Sequence, residues 1–422
     1  MKKVAVGLSG GVDSAVSALL LKRKGFEVVG VHLYCWPPKS EIEKDGVTRE
    51  EWIKKNGCRA DEDRTSALKA ALEIGIPFKE LDFSEEYNDR VIKYFYDEYE
   101  AGRTPNPDVL CNSEIKFGLF LDWALENGFD YIATGHYARL VSPDQQKSCS
   151  HDPTFAGSEG VSARDLLDQV KLYIPNDKHK DQTYFLWKLT EKEFKHVIFP
   201  LGDLLKSEVR EVAKKAGLSV ANKKDSQGIC FVGNVEVSEF LKRRLLEKPG
   251  EVMDTSGNVI GKHRGVAFYT IGERGGWTMD PSAQKLQTSR TQDGDITKIY
   301  YVVDKDAFAN RLIVGDKTEV MSNKISIENI SLINHSKDGT SVILQKLTED
   351  SELFVRIRHG GEILKIQKLE KSKTSYFAKA TRDKQNNHIS VETEKEVFGV
   401  ASGQSAVFYS GAGECLGGGV IV

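Results

Sequence analysis

The sequence predicts an α/β fold with a doubly wound parallel sheet, followed by a small central domain and a C-terminal antiparallel β-barrel. In the first third, short apolar runs such as VAVGL and FEVVGVHLY alternate with amphipathic stretches such as AVSALLLKRKG. This alternation is typical of βα units around a parallel sheet. After about residue 255, short segments such as KIYYVVD, LFVRIRH and AVFYSG are separated by Gly, Asn and Asp turns, a pattern that predicts an antiparallel sheet or small barrel.

The chain of 422 residues is long enough for two or three domains. We expect a first domain over 1–200, with a polar insertion at about 142–170, a central domain over 201–312 and a barrel over 313–422. Within the first domain, Gly25 and Gly75 stand where two predicted helices would end, as glycine commonly does.

The composition is that of an ordinary soluble protein, with 40% hydrophobic and 29% charged residues. No apolar run approaches the length of a membrane span, and the apolar stretch at the start is too short for a secretory signal, so we expect a cytoplasmic protein without a membrane partner. The net charge is −3, but residues 171–224 hold 12 Lys and Arg against 7 Asp and Glu. This basic stretch faces either a polyanion or simply solvent.

The six cysteines contain no CxxC pair, which argues against a zinc ribbon or an iron–sulfur site. A functional cysteine here is therefore expected to be a nucleophile or a redox group. Cys111 follows two prolines in TPNPDVLCNS, which stiffen the loop before it. From that stretch alone, Cys111 is either a reactive thiol or a small buried apolar residue.

The stretch VAVGLSGGVDS (4–14) predicts a phosphate-binding loop between a strand and a helix. Gly10 and Gly11 allow close approach of the backbone, while Ser9, Ser14 and the amides at the helix N-terminus can hold phosphate oxygens. The stretch lacks the Gly-Lys-Ser/Thr ending of a Walker A loop, so it supplies no lysine for the terminal phosphates. It resembles the loop of the N-type ATP pyrophosphatases, which implies ATP as cofactor and Mg²⁺ held with the help of Asp13.

Five further motifs stand in order along the chain: TPNPDVLCN, ATGHYAR, HKDQTYFL (179–186), DSQGICF and GQSAVFY (403–409). Together with the phosphate loop they resemble the tRNA 2-thiouridylase family, from residue 4 to Leu416. The stretch 142–170 and part of 275–300 lie outside the resemblance.

The resemblance implies ATP-dependent transfer of sulfur to C2 of the wobble uridine of tRNAs for Lys, Glu and Gln. ATP would adenylate the uridine oxygen, and a persulfide on Cys230, loaded by a cysteine desulfurase or a persulfide relay protein, would supply sulfur. Cys111 would either attack that persulfide to release sulfide or close a disulfide with Cys230. Asp108 matches the family's acid/base carboxylate. Cys35, Cys58, Cys149 and Cys415 are expected to be packing or loop residues.

Binding residues are also implied by the resemblance, position by position. The positions expected to contact ATP are Gly7, Leu8, Ser9, Gly10, Gly11, Val12, Asp13, Ser14, Leu33 and Gly135. Those expected around the target base are Asn106, Pro107 and Asp108. Those expected to contact tRNA elsewhere are His136, Lys180, Asp181, Gln182, Arg356, Ile357 and Gln404. The central domain is also expected to contact tRNA. For His136, a histidine hydrogen-bonded inside the sheet terminus is the alternative.

The chain departs from the family pattern at three positions. Leu33 replaces a frequent methionine, a tolerable apolar exchange beneath an adenine. Ile357 stands where an aromatic residue is usual, so base stacking at that position is not expected. Glu273 stands where glutamine is usual, followed by a longer charged segment that could alter contact with RNA.

Two other functions remain open from the sequence. A ligase or amidotransferase of the same superfamily would adenylate a small metabolite, but it would leave both cysteines and the C-terminal region without a role. The other is a nucleotide-dependent RNA-binding protein without turnover, which tight tRNA binding with no AMP release under any sulfur donor would support.

Overall fold

The computed structural model describes residues 1–56, 60–141, 170–225, 237–280, 288–291, 294–297, 299–334, 352–371 and 388–422. The predicted insertion at 142–170 lies outside the described residues except for its last residue, and so do Cys58, Cys149 and Cys230. Among the described helices, none is both long and apolar enough to cross a membrane.

The strands of the first 225 residues, in chain order, are β1 (Lys3–Gly7), β2 (Glu27–Tyr34), β3 (Phe78–Asp82), β4 (Tyr131–Ala133), β5 (Arg139–Val141), β6 (Lys171–Tyr173) and β7 (Val197–Ile198). Five of them form a parallel sheet in the order β3-β2-β1-β4-β7. The chain moves outward from β1 through β2 to β3 and then returns to the other side of β1. The predicted doubly wound sheet is confirmed, and its order reverses between β1 and β4.

Helices cover both faces of this sheet and carry apolar residues toward it. The α-helices are Val12–Arg23, Lys39–Asp45, Arg49–Asn56, Ala60–Ile74, Ser84–Tyr87, Lys93–Glu100, Pro107–Leu110, Phe120–Glu126, Glu191–Phe194, Lys206–Lys215 and Val237–Leu241, and two π-helical segments cover Asn88–Ile92 and Cys111–Leu119. Gly25 and Gly75 follow the ends of two of these helices with φ of +86° and +72°, as predicted.

The central part of the chain forms a second sheet. Its described strands are β8 (Gly250–Asp254), β9 (Val259–His263), β10 (Thr278–Met279), β11 (Thr288–Thr291), β12 (Gly294–Thr297), β13 (Tyr301–Asp306) and β14 (Arg311–Gly315). Five of them are ordered β10-β9-β8-β14-β13, and β11 pairs with β12 separately. The sheet is mixed, because β8 and β14 run parallel while the other pairs are antiparallel.

The C-terminal strands are β15 (Met321–Leu332), β16 (Leu353–Arg356), β17 (Leu364–Lys371), β18 (Ile389–Phe398), β19 (Ser405–Ser410) and β20 (Glu414–Ile421). They close an antiparallel barrel of six strands, because β15 pairs with both β18 and β20. The predicted barrel is confirmed. One feature was not predicted: β5 and β6 of the first part pair with each other, and β6 extends the barrel sheet along β20.

Candidate active site

A pocket of about 470 Å³ opens at the carboxyl ends of β1 and β4, where the strand order reverses. Ligands in doubly wound sheets bind at this place because the loops after neighbouring strands diverge there. Most residues predicted to contact ATP line this pocket, together with three of those predicted to contact tRNA. They are Gly7, Leu8, Ser9, Gly11, Val12, Asp13, Ser14, Leu33, Gly135, His136, Lys180 and Gln182.

The predicted phosphate loop connects β1 to the helix Val12–Arg23. Ser14 Oγ donates to the Gly11 carbonyl at 3.2 Å and accepts from the Ser9 amide at 3.2 Å, which closes the turn. Gly10 does not line the pocket, but its φ of +75° and its packing against the Asp63 carbonyl leave no space for a Cβ. Gly11 occupies the helix N-cap without a side chain. The amides of the first helical turn are therefore available to an anion.

Gly135, after β4, approaches this loop closely. A Cβ at Gly135 would lie 2.7 Å from the Ser14 amide nitrogen and 2.9 Å from the Asp13 carbonyl carbon. Both contacts would be with backbone atoms, which cannot rotate away. The position therefore requires glycine because of the close approach of two backbones.

Asp13 and Asp225 are joined by a cation that the sequence analysis missed. Lys206 Nζ donates to both carboxylate oxygens of Asp13 at 2.7 Å and lies 2.8 Å from Asp225 Oδ1. The Tyr137 hydroxyl also donates to Asp13, at 2.9 Å. The side chain of Lys206 is only 13% exposed, so these charges interact with limited screening by solvent.

Asp225 is the acidic residue of the DSQGICF motif, and two further cationic side chains contact its carboxylate. Lys180 Nζ lies 2.6 Å from Oδ2, and Arg210 donates to Oδ1 at 2.8 Å. Partial burial of the carboxyl group would raise its pKa, but the hydrogen bonds from Lys180 and Lys206 outweigh burial and lower the pKa to about 2. Asp225 is therefore ionised at any physiological pH and holds this end of the motif at the pocket.

His136 and Gln182 shape the turn after β4. His136 Nδ1 lies 2.7 Å from Thr134 Oγ1, and burial together with the nearby Lys116 charge lowers the pKa of the imidazole well below its usual value. Gln182 exchanges hydrogen bonds with the backbone of Tyr137, accepting at 2.9 Å and donating at 3.1 Å. His136 is therefore buried and hydrogen-bonded, as the alternative interpretation expected, and it also lines the pocket.

The loop before Cys111 is held by the other two parts of the chain. Gln404 Nε2 donates to the carbonyl oxygens of Thr104 at 3.0 Å and Pro105 at 3.2 Å. From the central part, Thr270 Oγ1 lies 3.3 Å from Thr104 Oγ1. Glu273 in turn accepts from the Thr270 amide at 2.9 Å. Gln404 and Glu273 therefore both support the conformation of this loop.

Asp181, Arg356 and Ile357 are buried in the described structure. Arg356 Nη1 donates to Asp181 Oδ2 at 2.6 Å, and the two side chains are 8% and 3% exposed. The Ile357 carbonyl lies 3.1 Å from the Tyr184 hydroxyl, which also hydrogen-bonds the side chain of Asn106. This network joins the HKDQTYFL motif to the end of β16.

Cys111 is fully buried, at the start of the π-helical segment Cys111–Leu119. Lys116, five residues later in the same segment, lines the pocket. At an α-helical rise, the backbone positions of Cys111 and Lys116 are less than about 8 Å apart along the helix axis. Asp108 is half-buried one turn earlier, on the helix that begins with Pro107. The helical segment that begins at Cys111 thus reaches the pocket through Lys116, while the Cys111 thiol is covered.

Cys230 lies outside the described residues, but both flanks of its segment are described. Asp225 lines the pocket, and five extended residues span at most about 18 Å. On the other side, Phe240 is fully buried with its ring 5.7 Å from Trp36, which also lines the pocket. Both flanks of the segment are therefore held beside the same cavity.

Several residues at the site were missed from the sequence. They include Lys206, Asp225, Tyr137, Lys116 and His359. For Lys206 a signal existed, because a lysine in the first turn of a helix opposes the helix dipole and requires another partner. The others stand within or near the quoted motifs without a pattern of their own.

The buried pair between Asp181 and Arg356 leads to a stability prediction. Replacing Asp181 by asparagine leaves the guanidinium buried without its counter-charge, which is expected to cost about 3–5 kcal/mol of unfolding free energy. Denaturant unfolding followed by circular dichroism measures this loss. As a control, Glu352→Gln breaks the exposed pair with Lys365 and should cost less than about 1 kcal/mol. An unchanged midpoint in D181N would show that the pair is not needed for stability.

Three family models match the chain in sequence. Residues 2–234 match the tRNA methyl transferase HUP domain, residues 238–316 match the tRNA methyl transferase PRC-barrel domain, and residues 322–421 match the aminomethyltransferase beta-barrel domain. Together these models account for nearly the whole chain.

Curated relatives match over nearly the full length. The tRNA-specific 2-thiouridylase MnmA of Levilactobacillus brevis is 37% identical over 99% of this chain and 95% of its own, and that of Streptococcus uberis is 38% identical over the same shares. Among solved structures, a 4-thiouridine synthetase in complex with RNA and bound ATP covers 57% of this chain and 50% of its own, at 15% identity and a TM-score of 0.28, a similarity too low to support an argument. On its full-length relatives, the chain belongs to the tRNA-specific 2-thiouridylase family.

Proposed function

We propose that this protein uses ATP to transfer sulfur to C2 of the wobble uridine, position 34, of tRNA. The observation that carries the proposal is the full-length similarity to 2-thiouridylases at 37–38% identity. The geometry agrees with it, because the phosphate loop, Lys116 of the helical segment that begins at Cys111, and Asp225 before the Cys230 segment line one pocket.

ATP would bind along the phosphate loop, with its phosphates at the amides of residues 9–14. The fit for Mg²⁺ rests on Asp13, whose carboxylate stands at the start of the helix beside this loop, where phosphate oxygens would complete an all-oxygen coordination. When bound, Mg²⁺ would neutralise phosphate charge and favour departure of pyrophosphate. Lys206 would supply the cation that the loop lacks, since its ammonium group already lies at Asp13.

Sulfur transfer needs three displacements, at phosphorus, at carbon and at sulfur. Uridine O2 attacks the α-phosphorus of ATP and pyrophosphate leaves, so that C2 then carries AMP as a leaving group. The terminal sulfur of a Cys230 persulfide attacks C2, AMP departs with the oxygen, and the Cys111 thiolate attacks Cys230 Sγ to form a disulfide. Alternatively, Cys111 attacks first and the released sulfide attacks C2. Either route ends with a Cys111–Cys230 disulfide that a cellular thiol must reduce.

Because Cys111 is fully buried, its thiol has to be uncovered before it can react. The hydrogen bonds from Gln404 to Thr104 and Pro105 hold the loop that precedes it. Binding of tRNA against the central and C-terminal parts would change these contacts. We infer that Asn106, Pro107 and Asp108 approach the target base when this loop moves, with Asp108 exchanging protons at the base.

The proposal keeps the division into 1–200, 201–312 and 313–422, with tRNA contacting all three parts. His136, Lys180 and Gln182 would face tRNA or nucleotide directly, since they line the pocket. The buried Asp181, Arg356 and Ile357, and Gln404 through its loop contacts, would act by holding the surface in shape. The expected substrates are tRNAs for Lys, Glu and Gln, and the expected sulfur donor is a cysteine desulfurase or a persulfide relay protein of the cytoplasm.

The purified protein tests this proposal directly. Incubated with ATP, Mg²⁺, a cysteine desulfurase with cysteine, and unmodified tRNA for Glu, it is expected to form 2-thiouridine at position 34 and release one pyrophosphate per thiolation. Nucleoside mass spectrometry measures the product, and the same tRNA carrying cytidine at position 34 is the control. Pyrophosphate release that depends on a small metabolite and not on tRNA would instead indicate a metabolite ligase. Tight tRNA binding with no AMP release would indicate a non-catalytic binding protein.

A further inference from the structure

His359 brings the C-terminal part of the chain to the nucleotide pocket. It lies three residues beyond the end of β16 and is followed by Gly360, whose φ is +67°. Among the described residues that line the pocket, it is the only one beyond residue 225. Its side chain is exposed, unlike Arg356 and Ile357 just before it, which are buried.

The imidazole ring is supported on one side by an aromatic side chain. The ring centroids of His359 and Phe185 lie 4.5 Å apart with an angle of 34° between the planes, and the Tyr184 ring lies 6.3 Å away. The backbone before His359 is fixed by the Arg356–Asp181 ion pair and by the Tyr184 hydroxyl at the Ile357 carbonyl. The imidazole ring of His359 therefore lies at the wall of the pocket, on a backbone segment that these contacts hold in place.

The charged groups around His359 belong to the motifs of the sulfur-transfer half of the site. Although the residue is exposed, partial burial of the imidazole by its neighbours lowers its pKa; Asp181 and Asp108 raise it, while Arg356 and Lys180 lower it, with a net decrease. The imidazole is thus mainly neutral at pH 7. Asn112, the residue after Cys111, donates to the Phe185 carbonyl at 3.2 Å, so the aromatic residue that supports His359 is joined to the Cys111 segment.

We propose that the target uracil stacks on the imidazole ring of His359 when it enters the pocket. This inference rests on the proposed function and names a substrate-contacting residue for it. A neutral aromatic ring that is supported on one face by Phe185 and belongs to an exposed residue suits a base that has left its own stack. Ile357 is 3% exposed and cannot present a stacking surface, so the ring two positions later fills that role.

Three substitutions separate stacking from hydrogen bonding and from loss of fold. His359→Ala is expected to lower kcat/KM for tRNA about 10- to 100-fold, because one base–aromatic contact is lost. His359→Phe keeps the ring and should recover activity to within about threefold, whereas His359→Gln keeps polar atoms only and should stay low. ATP affinity and the thermal midpoint of all three should match those of the unchanged protein. Recovery by glutamine but not by phenylalanine would overturn the stacking role.

A crosslink locates the base independently of turnover. An anticodon stem-loop carrying 5-bromouridine at position 34 is irradiated with the full-length protein, and the crosslinked peptide is identified by mass spectrometry. A crosslink within the peptides that contain His359 or Phe185 supports the inference, and one confined to other peptides overturns it. If the unchanged protein thiolates tRNA and His359→Ala is equally active, only this inference fails. If the unchanged protein does not thiolate tRNA, the proposed function fails, and the inference with it.

Discussion

Replacing Cys230 by serine is expected to abolish formation of 2-thiouridine while ATP-dependent release of pyrophosphate with tRNA continues. The persulfide has to form on this thiol, and a hydroxyl group can neither carry a sulfane sulfur nor deliver it. We expect a loss on the order of 10³-fold or more, as for other catalytic nucleophiles. Product formation is measured by nucleoside mass spectrometry, and the adenylation step by pyrophosphate release.

Cys111→Ser should block the product equally but at a different point. In this variant the persulfide on Cys230 should still load from the desulfurase and, in the absence of tRNA, persist, because no second thiol attacks it. Intact-protein mass spectrometry would show the added 32 Da, roughly one sulfur atom, in Cys111→Ser and not in Cys230→Ser. Normal thiolation in either variant would contradict the two-cysteine mechanism.

A matched control is needed because Cys111 is fully buried and a hydroxyl could disturb the core. Cys415 is 1% exposed, and burial raises the pKa of its thiol, which marks it as an unreactive packing residue. Cys415→Ser places the same hydroxyl in an equally closed environment. We expect this variant to lose stability but to keep its thiolation rate per folded molecule, so a loss seen only in Cys111→Ser reports chemistry.

The α/β sheet and the phosphate loop could be predicted because their signals are local. Alternating apolar runs indicate strands and helices, and the glycines of the phosphate loop indicate a backbone conformation that the structure shows at Gly10, with φ of +75°. The barrel was likewise visible in short alternating segments. The addition of β6 to the barrel could not be predicted, because pairing between residues 172 and 415 leaves no local trace.

The burial of the expected tRNA contacts could not be predicted either. Resemblance assigns a role to a position, but whether Arg356 faces solvent or Asp181 depends on contacts across 175 positions of sequence. The same holds for Gln404, whose amide reaches Thr104 across 300 positions. Cys111 illustrates the consequence: the motif identified the residue, and only the fold shows that its thiol is covered.

Lys206 is the second residue whose replacement should have a large effect. Its ammonium group is equidistant from the two oxygens of Asp13 and also contacts Asp225, so it joins the phosphate loop to the start of the Cys230 segment. A metal ion at Asp13 would compete for these oxygens. The ammonium is then expected to move to the phosphates, where it stabilises the charge that develops on pyrophosphate.

Lys206→Met is therefore expected to lower the rate of tRNA-dependent pyrophosphate release about 10²- to 10³-fold, the usual effect of removing one group that stabilises transition-state charge. Binding of tRNA should change little, because a single buried lysine contributes little to the basic surface. Lys214→Met, which removes an exposed charge from the same helix, is the control and should stay within about threefold of the unchanged protein.

Lys206→Arg distinguishes a role in chemistry from one in stability. Arginine keeps the charge, so Asp13 and Asp225 remain paired and the unfolding midpoint should hold, but its planar group cannot occupy the same point between two carboxylates and a phosphate. We expect pyrophosphate release to fall in Lys206→Arg while stability is retained. If Lys206→Met releases pyrophosphate at the normal rate, the lysine only neutralises two partly buried carboxylates, and the cation for the terminal phosphates has to come from a residue that lines the pocket.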